Sequence, residues 1–182
     1  MEPRIEILVH SLPDELSALK IEAAVIDLIG KDNLTNEVRG YETGVFGRTP
    51  LDELIAIFEA QPVEIEEPAI LIRVTNTYRY GISTQELYDI TRSAWVIGKR
   101  REKAQYGICV YAGIVREVYC IEKWLPAGST PTTRPPEDVN RPDRWEFVGK
   151  VADESIRKKY LLKSVEMYFS KRSQNPITYI NC

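Results

Sequence analysis

Histidine occurs once in the 182 residues, at His10, and cysteine only three times, at Cys109, Cys120 and Cys182. An odd number of cysteines without C-x-x-C spacing excludes a disulfide framework and a cysteine-based zinc site, and reduced thiols in the cytoplasm fit best. With one histidine and no placed carboxylate or nucleophile beside it, no Ser/His/Asp or Cys/His arrangement can be assembled. No segment approaches the roughly 18 consecutive apolar residues of a membrane-spanning helix. The N-terminus is charged and has no long apolar run before Pro13, so it does not read as a signal peptide. A basic excess is missing too: 24 Lys and Arg face 27 Asp and Glu, for a net charge of −3. That balance excludes a protein that coats nucleic acid or membrane non-specifically, so any nucleic-acid contact must be local. There is no internal repeat, heptad array or nucleotide-binding glycine loop.

Hydrophobic residues make up 43% of the chain, ample for a packed core without covalent staples. Ile5, Ile7 and Val9 alternate as in a short strand, and Ser11-Leu-Pro-Asp14 starts a helix that Gly30 and Asn33 end. Thr49 and Pro50 begin a second helix in which Leu51, Leu54, Ile55 and Phe58 form a stripe expected to face the core. The acidic, proline-bounded Glu64-Ile-Glu-Glu-Pro68 reads as a junction, dividing the chain into residues 1–62 and 69–182.

Beyond it, residues 69–75 read as a strand, and Ser83-x-x-Glu86 is a capping box ahead of Leu87, Ile90 and Ala94 at helical spacing. Residues 105–111 and 114–124 make a hairpin across Ala112-Gly113. Residues 126–143 carry five prolines and predict an extended, mobile surface loop. A strand over 145–151, a helix from about Asp153 and a strand over 177–180 complete an α+β chain, with a small mixed or antiparallel sheet or open barrel and inserted helices.

Glu22, with Leu34-Thr-Asn36-Glu-Val-Arg-Gly40, resembles the closing segment of GIY-YIG endonuclease domains of the LEM-3-like branch found in bacterial proteins. The block from Tyr106 to Trp124, Arg144-Trp-Glu-Phe-Val-Gly149 and the ending Asn175-Pro-Ile-Thr-Tyr-Ile-Asn-Cys182 resemble the C-terminal extension of those proteins, whose layout is similar to PUA-like folds. The resemblance implies an N-terminal β-α remnant of a GIY-YIG-like domain packed on a PUA-like domain. It matches Glu22 to the metal-binding glutamate of the nuclease and Asn36 to its supporting asparagine. Neither the Gly-Ile-Tyr nor the Tyr-Ile-Gly strand precedes Glu22, so the resemblance implies a chain without independent cleavage activity.

Glu22 has Ala18, Leu19, Val25 and Ile26 as helical neighbours, so a partly buried carboxylate in need of a metal, a cation or a donor is expected there. A helix-surface carboxylate paired with a nearby cation is the plainer alternative, and Asn36 serves equally as a turn cap. Gly98-Lys-Arg-Arg-Glu-Lys103 sets four cations beside Trp95 and Tyr106, the combination that phosphate contact and base stacking require. Arg116, Trp124 and Trp145 would line a pocket for a flipped or modified base, or simply fill a core. Cys109 reads as a small core residue.

These residues predict a nucleic-acid-associated binding module whose first contacts are Arg100, Arg101, Arg116, Trp95 and Trp124. It needs no cofactor and no membrane. A divalent-metal endonuclease completed from outside this chain, which would take Mg2+ at Glu22, and a structural or homo-oligomeric protein are the other two readings.

Overall fold

The computed structural model describes residues 7–30, 33–34, 51–170 and 175–182, with the main chain only at 52 and 53. The chain divides into two compact units, residues 1–50 and 51–182. In the first, α1 spans Glu15–Ile29. Asp14 caps it by accepting a 2.7 Å hydrogen bond from the Ser17 amide, and Gly30 closes it at φ 86° with its amide on the Ile26 carbonyl. The expected strand before it is not formed over residues 7–9, where Ile7 and Leu8 are exposed.

The second unit begins with α2 (Leu51–Glu59). Its stripe does not face a core: Leu51, Leu54, Ile55 and Phe58 are all exposed, and among its described side chains only Ala56 is buried. Apolar spacing specifies which residues share a helix face, not that the face finds a partner. The segment expected as a junction is instead held against the second unit. Ile65 is buried in the core, its amide donates to the Tyr168 hydroxyl, and Glu66 and Glu67 both accept from Lys159 Nζ.

Five strands follow: β1 (Ala69–Arg73), β2 (Tyr106–Tyr111), β3 (Ile114–Pro126), β4 (Trp145–Val151) and β5 (Ile177–Ile180). They form one open mixed sheet in the order β4-β3-β2-β1-β5, giving the expected α+β architecture. Only β1 and β2 are parallel, and α3 (Thr84–Arg92) lies in the crossover between them. Ser83 and Glu86 form the complete capping box of that helix. The β2–β3 turn is Ala112-Gly113, both at positive φ (50° and 76°), the mirror-image turn whose twist matches the flanking strands.

Both faces of the sheet are covered, so β1 is apolar at every position but its last. Ala69 and Leu71 join Ile108, Val110, Val118 and Tyr160 on one side. Ile70 and Ile72 join Cys109, Tyr119 and Phe147 on the other. Gly107 makes this second core possible, since a Cβ there would come within 2.9 Å of the Phe147 ring. Cys109 is a core residue, and burial pushes its thiol up to about 12.

The proline-rich segment is tied down rather than extended: α4 (Pro136–Val139) sits within it and Val139 is buried. The unit also contains α5 (Glu154–Tyr160), after Asp153, and 3-10 turns at Lys99–Lys103 and Glu166–Tyr168. Among the described residues no helix is long and apolar enough to cross a membrane.

Candidate anion-binding cleft

Four consecutive residues of α3, Asp89 to Arg92, are buried, two of them oppositely charged. Bare charges in such a place are prohibitively costly, so their partners define the local structure. Arg92 Nε donates to Asp89 Oδ1 at 2.8 Å, and its terminal nitrogens donate to the Thr130 hydroxyl and, at 2.6 Å, to the Pro131 carbonyl. Thr133 gives Asp89 Oδ2 both its amide (2.8 Å) and its hydroxyl (2.9 Å). Glu146 of β4, also buried, accepts from Thr130 at 2.9 Å and from the Gly128 amide at 2.9 Å. Burial pushes the Asp89 carboxyl up, but the Thr133 amide, the Arg92 guanidinium and the Thr133 hydroxyl outweigh it and hold it below the ordinary aspartate value. The whole 128–133 segment is therefore fastened to α3 and β4 by ionic and hydroxyl contacts.

That fastening positions the next residue. Arg134 Nη1 donates to the Ser93 carbonyl, and Arg144 Nη1 donates to the following carbonyl, Ala94, at 3.0 Å. Arg134 and Arg144 line a cleft of about 450 Å³ together with Arg73 from the end of β1. Thr75, Asn76 and Thr77 of the turn after β1 form one rim. Val74, Ile90, Ala94, Trp95 and Pro176 supply apolar wall, and Asp138 of α4 is the one acidic residue among the described residues of the lining. Arg73 lies over the Phe169 ring at 4.8 Å and donates to the Asn175 carbonyl. The Trp95 indole N–H is engaged by the Thr91 carbonyl at 2.7 Å, so the side chain offers the cleft apolar ring surface. Burial, foremost, and the like charges of Arg144 and Arg92 pull the Arg134 guanidinium below its ordinary value, with Asp138 and Asp89 opposing them.

Such an arrangement can bind an anion and lay a planar apolar group beside it, within the size range of small-ligand sites. Of the residues expected to contact nucleic acid, only Trp95 lines it. Arg101 is 7% exposed, lies 3.5 Å over the Trp145 ring, pairs with Glu102 and donates to the Ile97 carbonyl at 3.2 Å. Arg116 is equally buried, over the rings of Tyr78 and Tyr111. Arg100 is exposed, but its guanidinium donates to the Cys182 carbonyl and covers the Tyr179 ring. Trp124 packs edge-on against Phe147 in the core, and its buried Nε1 has no hydrogen-bond partner among the described residues. The basic run and these aromatic residues thus hold the domain together instead of presenting one open surface.

Glu22 corrects another expectation. Its side chain is exposed on α1, not sunk among its apolar neighbours. Asn36 lies outside the described residues. Among the described residues no group of three or more His, Cys, Asp or Glu side chains is placed to hold a metal ion.

Arg73 and Arg134 carry no motif in the sequence, and Arg144 stands only at the start of the 144–149 block, so nothing along the chain joins the three. The nearest signal was the Asp89/Arg92 pair, an i,i+3 pair of opposite charges beside apolar Ile90, which marks a helix face that must meet polar chain from elsewhere. Compared with known proteins, the chain matches no family model, no curated protein and no solved structure.

Proposed function

We propose that this protein is a nucleic-acid-associated binding module whose phosphate contacts are Arg134 and Arg144, in the cleft that Arg73 also lines. One observation carries the reading: Arg134 and Arg144, each holding a backbone carbonyl through one nitrogen, line a single cleft with Arg73, against one carboxylate residue among the described lining, in a chain whose net charge is −3. Positive charge has been gathered locally where the whole molecule does not favour polyanions. Trp95 adds the apolar surface on which a base rests beside its phosphate. The resemblance of residues 106–124 and 144–149 to the C-terminal extension of LEM-3-like proteins supports the same assignment.

Fluorescence anisotropy of a labelled single-stranded oligonucleotide, measured across a salt series, tests it. The double variant Arg134→Gln/Arg144→Gln should bind more weakly, with the slope of log K against log salt shallower by about 1.4, or about 0.7 for each phosphate contact removed. Equal affinity and equal slope for wild type and variant would remove the reading.

A further inference from the structure

We infer that the cleft takes a phosphate monoester, at the end of a strand or on a single nucleotide, in preference to the diester of a continuous backbone. The inference rests on the nucleic-acid reading above and narrows its ligand. A strand of diesters offers one charge at each step and is matched by cations strung along a groove. Here the cations do the opposite. Arg73, Arg134 and Arg144 share the lining of one cleft, and Arg134 and Arg144 are fixed to consecutive carbonyls, Ser93 and Ala94.

Two like charges held in that way favour a ligand that brings nearly two negative charges on three oxygens, which is a monoester near neutral pH. Each guanidinium carries five N–H donors, so the carbonyl anchor of Arg134 or Arg144 uses one nitrogen and fixes the plane of the rest of the fork. Asp138 discriminates further. Its carboxylate lines the same space, so a ligand with its charge concentrated at one end fits better than one carrying charge throughout. The lowered Arg134 guanidinium is consistent with this, since it stays charged and an adjacent dianion offsets the burial and the Arg144 repulsion that disfavour that charge.

Competition against a labelled oligonucleotide decides it, using the full chain and four unlabelled probes. These are one oligonucleotide phosphorylated at its 5′ end, the same strand phosphorylated at its 3′ end, the same strand with hydroxyls at both ends, and the matching nucleoside monophosphate. Either phosphorylated strand should compete about tenfold better than the hydroxyl strand. In Arg144→Lys, which keeps the charge and loses the fork, that preference should shrink towards unity with the thermal unfolding midpoint unchanged. Equal competition by all three strands overturns the monoester inference and leaves the nucleic-acid reading standing. Competition by the monophosphate as strong as that of either phosphorylated strand supports the monoester as the whole of the ligand. A labelled oligonucleotide that does not bind, beside a monophosphate that does in direct titration, supports the monoester and removes the nucleic-acid reading. Retention of the full preference in Arg144→Lys and in Arg134→Gln overturns the assignment to this cleft.

Discussion

At the 3-10 turn Lys99–Lys103, Arg101 is stacked on Trp145 and Arg100 is drawn to the Cys182 carbonyl, so both guanidinium groups are absorbed by the protein itself. At the cleft, Arg134 and Arg144 are anchored by one nitrogen each, on neighbouring carbonyls, around a volume of about 450 Å³. The first group is contiguous in sequence and scattered in its contacts. The second is scattered in sequence and gathered in space. An arginine binds outside ligands only when its fork is oriented but not used up, and adjacency along the chain says nothing about that.

The contrast can be broken most forcefully from below the cleft. Arg92→Ala would strand Asp89 and Glu146 as buried carboxylates without their cation and should cost about 3–5 kcal/mol in urea unfolding. A loss within a few tenths of a kcal/mol would show that the 128–133 segment does not depend on this network. Arg101→Ala comes next, losing a stacked cation and the packing of its stem for about 1–2 kcal/mol of stability. Oligonucleotide affinity should stay unchanged in Arg101→Ala; a large fall in affinity with normal stability would return the basic turn to the interface.

Acid titration separates the regions differently. The Asp89 carboxyl is held below its ordinary value in the folded protein, so its contribution is fully present above the unfolded value of about 3.9 and is lost as pH falls through the folded one. Unfolding midpoints followed from about pH 5 to about pH 2 should therefore fall more steeply in wild type than in Asp89→Asn. Parallel curves would contradict the assignment. The smallest effect is expected at Glu22, where exposure on α1 predicts that Glu22→Gln changes neither stability nor oligonucleotide affinity by more than about 0.5 kcal/mol.

Local chemistry made much of the architecture legible. Asp14, the Ser83/Glu86 box and Ala112-Gly113 each act within a few residues of themselves, each stands at the boundary expected of it, and the helix expected from about Asp153 starts at Glu154. The errors share a cause. Whether Leu51 and Phe58 are covered, whether Glu22 is sunk, and whether a proline-rich segment is anchored depend on partners distant in sequence. The proline-rich segment shows this best: its composition describes an unattached loop, yet Thr130 and Thr133 are the groups that satisfy Arg92 and Asp89. The cleft was unreadable for the same reason, since residues 73, 134 and 144 meet only after β1, α3 and β4 have taken their places.

The position of β1 bears on how the second unit assembles. It lies between β2 and β5, and the register sets Ala69 against both Tyr106 and Ile180. The β2–β3 hairpin can zip from a two-residue turn, whereas β1 must wait for a crossover on one side and a partner more than a hundred residues away on the other. Closing so long a loop adds little to the equilibrium cost, about 0.6 kcal/mol for each doubling of its length. What it lengthens is the search. Until that search ends, an unusually apolar strand waits with its backbone unpaired and both faces uncovered.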